Sequence, residues 1–153
     1  MNVFKNNNSL ALSVCKVWFV RTLDVLSIVR DLKNPHSLRL NFKTGKGWVE
    51  IYGSPSSKKY TENTREHGAG EWFDQKLELV YPSDSVSNLV DFDNIEQYRF
   101  ILRYMDSRGV NWVVGSKDCP MYMKQDKNVN GEASRSVVFY RAGDEIAKEL
   151  VVL

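Results

Sequence analysis

A chain of 153 residues is about the length of one domain and long enough to bury a real core. Its 42% hydrophobic and 26% charged residues are ordinary for a globular domain, and a formal charge of +2 is too small to argue for nucleic acid or an anionic membrane from bulk electrostatics. No apolar run approaches the length of a bilayer span.

Residues 1–13 read as a polar arm that a partner would order. The apolar run at residues 10–15 raises the question of a secretion or lipidation signal. Asn6, Asn7 and Asn8 interrupt it, Lys16 closes it early, and Val14 is a poor residue before a lipidated Cys15. The chain is therefore expected in the cytoplasm when made. Residues 14–153 are expected to form a single β-rich domain.

Residues 14–20 are β-branched and aromatic, which predicts a strand. Leu23, Leu26, Ile28 and Val29 fit neither helical nor strand period, so residues 23–32 are open between a short helix and a strand. Leu38, Leu40 and Phe42 alternate with Arg39, Asn41 and Lys43. Thr44-Gly45-Lys46-Gly47 then supplies a turn, and residues 48–52 return, predicting a hairpin. Gly53-Ser54-Pro55-Ser56-Ser57 breaks it.

Residues 58–66 are extended but too charged for a central strand, and His67-Gly68-Ala69-Gly70 is a loop. Residues 54–71 therefore predict a projecting hairpin or long loop, followed by a strand over residues 72–81 with Phe73, Leu77, Leu79 and Tyr81 on one face. Pro82-Ser83-Asp84 is a stop and a helix cap. Val86, Leu89, Val90, Phe92 and Ile95 then share one side of a short helix.

The strongest pattern lies beyond. Tyr98, Phe100, Leu102 and Tyr104 alternate with Arg99, Ile101 and Arg103, a period of two that sets an aromatic row on one face of a sheet. Asp106-Ser107-Arg108-Gly109 is turn chemistry, and residues 110–115 return. A further extended segment starts at Met121, a polar loop is expected at residues 126–131, and residues 134–141 form another strand. Ala142-Gly143-Asp144 turns, and the tail Leu150-Val151-Val152-Leu153 needs a burial site. Many short strands with one central helix predict a β-sandwich or partly open β-barrel flanked by that helix.

Catalytic chemistry is hard to place on this chain. His67 lies among Glu62, Glu66, Glu71 and Asp74, but no second ligand sits at helical or hairpin spacing, and a solvated loop histidine is the simpler reading. His36, after Pro35, reads the same way. Asp91-Phe92-Asp93-Asn94 pairs two acids without the glycine or distal Glu of a calcium loop. Cys15 and Cys119 have no second Cys or His at ligand spacing and no adjacent base, so neither zinc nor a thiol nucleophile is indicated. Reduced thiols and a disulfide both remain open. Glycine-rich phosphate loops and the nucleophile elbow are absent. No enzyme activity and no cofactor are expected. Aromatics interleaved with Arg39, Lys43, Arg99 and Arg103 suit core patterning, or a stacking platform for single strands. The tryptophans at positions 18, 48, 72 and 112 are expected in the sheet interior or between protomers.

From Gly70 to Tyr140 the order is an aromatic strand, Pro82-x-Asp84, a short helix, Tyr98-Arg99-Phe100-Ile101, Asp106-x-x-Gly109, Val113-Val114-Gly115, Pro120, a polar loop and Val137-Val138-Phe139-Tyr140. With Val17-Trp18-Phe19-Val20, Thr22-x-Asp24-Val25-Leu26 and Gly47-Trp48, this order resembles small uncharacterised phage and prophage proteins of Bacteroidetes encoded among virion assembly genes. The resemblance carries no catalytic residue. It implies a structural virion protein, a protomer of a tail tube, neck or tail-completion ring, assembled in the bacterial host cytoplasm. Its implied partners are copies of itself and other virion proteins, with no membrane. DNA would pass through such a ring without specific binding. A ring contact is head-to-tail, so each protomer needs two different complementary surfaces. The candidate contact residues are Lys58, Lys59, Tyr60, Arg65, Glu66, His67 and Glu71 on the hairpin and Leu150, Val151 and Leu153 in the tail. The alternative is a nucleic-acid or ligand-binding β-barrel module.

Overall fold

The computed structural model describes residues 13–54, 56–68, 70–82, 97–128 and 134–150. In chain order the strands are β1 (Val14–Arg21), β2 (Val25–Arg30), β3 (Ser37–Phe42), β4 (Val49–Ile51), β5 (Lys59–His67) and β6 (Gly70–Tyr81), then β7 (Phe100–Asp106), β8 (Asn111–Val114), β9 (Tyr122–Asn128), β10 (Ser134–Gly143) and β11 (Lys148–Leu150). A 3-10 turn, Thr22–Asp24, joins β1 to β2. One sheet runs β2-β3-β11-β8-β7-β1-β4 and the other β5-β6-β10-β9. The molecule is mainly β, with two sheets facing each other like a sandwich and no closed barrel. The helix expected after Pro82 falls on residues outside the described ones, as do residues 1–12 of the arm.

β7 is the organising strand, because one of its faces is buried along its length and the other is buried at Ile101. Phe100, Leu102 and Tyr104 point between the sheets, where they meet Val17, Leu77, Leu79, Met121, Met123, Val137 and Phe139. Phe100 sits edge-on to both Phe19 and Phe139, with ring centroids 5.4 and 5.8 Å away. Each fully buried side chain of this size contributes about 1.5–3 kcal/mol. Ile101 points to the opposite face, into a second core with Val20, Val25, Leu38 and Val113.

That second core exists because the larger sheet curls. β1 is sixth in its sheet and β2 first, yet only Thr22–Asp24 separates them. Four peptide steps reach about 14 Å, whereas five flat strand spacings span about 24 Å. The corner is held by the Arg21–Asp24 ion pair at 3.0 Å and by the Thr22 N–H donating to the Arg99 carbonyl at 2.9 Å. β11 closes the middle of the sheet, parallel to β3 and antiparallel to β8.

Several expectations change. Residues 38–52 do not make a hairpin: β3 pairs with β2, and β4 pairs with β1 at the far edge. The chain between them crosses the mouth of the curl, and Trp48 packs edge-on to Phe42 at 5.6 Å. Residues 23–32 resolve into the 3-10 corner and β2, with a bulge between Val25 and Ser27 that breaks the alternation. β9 continues through Asp126, Lys127 and Asn128, where a loop was expected, and β10 continues through Ala142 and Gly143, where a turn was expected. In both places the neighbouring strand supplies backbone partners that polar or small residues alone do not advertise.

Candidate functional site

The charged segment at residues 59–67 is β5, an edge strand paired along its whole length with β6. β10 stops at the Gly143–Phe73 pair, so three β5–β6 pairs extend past it as a two-stranded ribbon. The extension is about 10 Å long. Gly70 re-enters the ribbon at a φ of 127°, a left-handed value glycine tolerates. One face of the tip carries Glu66 directly across from Glu71, both exposed. Like charges so placed destabilise a pair by about 0.2–1 kcal/mol. On the other face Trp72 is exposed beside Arg65, whose guanidinium is paired with Asp74 at 2.6 Å.

The remaining expected contact residues divide between surface and interior. Lys59 is exposed, while Lys58 is half-buried and reaches the Gly53 carbonyl at 3.4 Å. Tyr60 points inward against Tyr104, with ring centroids 4.7 Å apart. Leu150 packs on the second core, and Val151 and Leu153 lie outside the described residues. His67 pairs through its backbone with Gly70. Glu62 and Asp74, which surround His67 in sequence, are engaged elsewhere: Asp74 by Arg65, and Glu62 by a hydrogen-bond network that runs inward to Arg141.

That network is invisible in the sequence. Arg141, buried on β10, donates to the Gln75 amide oxygen, to the Cys119 carbonyl at 2.6 Å and to the Glu145 carbonyl at 3.1 Å. Gln75 in turn donates to a Glu62 oxygen at 2.9 Å, and the same oxygen accepts from Tyr60 at 2.7 Å and from the Ala147 N–H at 3.0 Å. Burial, reinforced by Glu62, pushes the Tyr60 hydroxyl well above its usual range, so it stays a donor. The amide separates the guanidinium from the carboxylate and satisfies both. This arrangement braces β5, β6, β10 and the approach to β11.

A second surface is apolar. Leu23, Leu26, Val29 and Leu32 are 63%, 59%, 39% and 101% exposed along the outer edge of the larger sheet. Beside them a groove of about 480 Å³ is lined by Val29, Leu32 and Leu38 with Arg30, Asp31, Lys33 and Arg39 around it. Arg30 is paired with Glu145, and Asp31 accepts the Lys33 N–H at 2.9 Å. The Lys33 and Arg39 side chains, both solvent-exposed, have no carboxylate within ion-pair distance among the described residues.

A third surface lies on the outer face of the smaller sheet. Tyr122 and Tyr140 are cross-strand partners, exposed and stacked at 5.8 Å, and the Arg99 guanidinium lies 4.2 Å from the Tyr122 ring. Arg103 covers Trp18 in the same way at 4.1 Å, on the larger sheet, and desolvation there lowers its pKa. The two arginines thus serve separate surfaces. Cys15 and Cys119 are both free thiols. Among the described residues no group of three His, Cys, Asp or Glu side chains could hold a metal ion. Compared with family models, curated proteins and solved structures, the chain matches none.

Proposed function

We propose that this chain is a non-enzymatic assembly protomer, and specifically a phage virion subunit of the tail-tube, neck or tail-completion type that the sequence order resembles. The observation that carries the reading is the exposure of Leu23, Leu26, Val29 and Leu32 on and beside the open edge strand β2. Proteins that remain alone in solution blunt such edges with charge, proline or a covering segment. The projecting β5–β6 ribbon offers a second and different surface, as a head-to-tail contact requires. Light scattering after size exclusion, over a range of protein and salt concentrations, tests the reading together with negative-stain microscopy. Concentration-dependent rings, tubes or short oligomers are expected. A monomer at every concentration and salt condition, with no particles on the grid, overturns it.

The Tyr122–Tyr140 stack under Arg99 favours a second reading, a single-strand binding face. Base stacking on an aromatic contributes about 1–3 kcal/mol per base. Titration with a fluorescent oligodeoxythymidine at low salt, repeated with Tyr122→Ala and Tyr140→Ala, distinguishes it. Binding that weakens with salt and with either variant supports a nucleic-acid module, and no binding at low salt removes it.

A further inference from the structure

The ribbon tip and the apolar groove are complementary in charge and in character. Glu66 and Glu71 face each other across the ribbon with no cation paired to either among the described residues. Arg65, the nearest cation on the strand, is committed to Asp74 on the other face. The tip therefore carries an unrelieved pair of negative charges in a cross-strand arrangement that is unfavourable in isolation. The groove presents the converse: Lys33 and Arg39 lack acidic partners beside an apolar trough that Leu32 overhangs fully exposed. Arg39 sits directly across from Val29 in the β2–β3 register, so its charge borders the trough. Trp72, exposed on the other face of the same tip, supplies an apolar group of a size such a trough accommodates.

We infer that the β5–β6 ribbon tip of one copy docks into the β2–β3 groove of the next, Glu66 and Glu71 pairing with Lys33 and Arg39 and Trp72 lying against Leu32 and Val29. Two unlike surfaces on one chain then meet, so the contact propagates head to tail and closes into a ring when the rotation allows. The inference rests on the assembly reading and gives that reading its contact.

Charge reversal tests it on the intact chain. One variant carries Glu66→Lys and Glu71→Lys, and a second carries Lys33→Glu and Arg39→Glu. All four positions are exposed, and circular dichroism with thermal melting verifies that both variants fold. Each variant alone is expected to self-associate about tenfold or more weakly than the parent, because two attractions become repulsions. Mixing the two variants restores association, because the reversed tip of one meets the reversed groove of the other. A chain carrying all four changes regains association, since tip and groove are reversed together. Leu32→Ser is the apolar control in the groove: it adds no charge and is expected to weaken assembly while leaving both charge pairs in place. Self-association unchanged in both reversal variants overturns this contact while leaving the assembly reading standing. A parent protein that is monomeric throughout, including under lysine-directed cross-linking at high concentration, overturns both.

Discussion

Trp112 donates its indole N–H to a carboxylate oxygen of Asp106 at 3.1 Å, across the turn that joins β7 to β8. The same carboxylate accepts the backbone N–H groups of Arg108 at 2.9 Å and Val110 at 3.2 Å, and the Arg108 guanidinium at 3.0 Å. One acid therefore gathers the whole turn, and Gly109 completes it at a φ of 84°. Asp106→Ala is expected to lower stability by about 2–3 kcal/mol, because several donors lose a charged acceptor at once. Asp106→Asn should fall between Ala and the parent. Urea unfolding measures both, and an alanine variant as stable as the parent would show that the hairpin is held elsewhere.

The same acid gives a pH dependence. Burial opposes its ionisation, but the hydrogen bonds from Trp112, Arg108 and Val110 outweigh burial and hold the carboxyl below the usual range. A folded-state pKa below the unfolded value, about 3.9 for Asp, means that its stabilisation is complete above that value. It is lost as the pH falls through the folded pKa. The urea midpoint should therefore decline below about pH 4, and Asp106→Asn should decline less steeply. An identical acid profile in the two proteins removes Asp106 as the cause.

Arg141→Met retains much of the side-chain volume on β10 but removes the donor to Gln75 and to the Cys119 and Glu145 carbonyls. A loss of about 3–5 kcal/mol is expected, since the acceptors are left buried and unmatched. Gln75→Leu should cost less when combined with Arg141→Met than the separate losses add up to, and a double-mutant cycle by chemical denaturation reads that coupling. Strict additivity would mean that the two side chains are energetically independent.

Gly115 and Gly45 separate two costs of adding a methyl group. Both have positive φ, 99° and 74°. At Gly115 a Cβ would also meet Met121 Cγ and the Phe100 carbonyl at 3.3 Å, whereas at Gly45 it would meet nothing within 4 Å. Gly45→Ala should cost about 1 kcal/mol from backbone strain, and Gly115→Ala should exceed it by about 1–2 kcal/mol from crowding. Paired thermal melts decide, and equal losses would mean that the isolated backbone bridge between Phe100 and Met121, with N–H to carbonyl hydrogen bonds of 3.1 and 2.8 Å, yields freely.

Much of the scaffold was legible because its signals are local. Phe100, Leu102 and Tyr104 announce their shared face by a period of two, and Asp106 and Gly109 announce the turn by residue type. What was not legible depends on distant partners. Nothing near Leu40 says that it will pair with Ile28 rather than with the strand that follows, because the curl at Thr22–Asp24 brings β2 there first. Leu23, Leu26, Ile28 and Val29 fit neither period. The bulge after Val25 and the exposure of Leu23, Leu26 and Val29 account for this, since periodicity reports only burial on one face. The sequence names Glu66 and Glu71 as candidate contacts but not Lys33. A single lysine in a loop carries no pattern until the groove beside it is seen. Gln75 and Arg141 were hidden for the opposite reason, because each is a polar residue at a position where alternation predicts an apolar one.

The last described strand has a temporal consequence. Lys148–Leu150 lies between β3 and β8, so the pairs β2–β3 and β8–β7–β1–β4 share no hydrogen-bonded neighbour until residues 148–150 arrive. A chain emerging from the ribosome has made every other described strand before that wedge exists, and the wedge must find Ser37 and Leu38 across more than a hundred residues of sequence. Loop-closure entropy makes such a search slow. The half-sheets wait with apolar edges bare, and the interval between synthesis and closure is when this molecule is most exposed to the wrong neighbour.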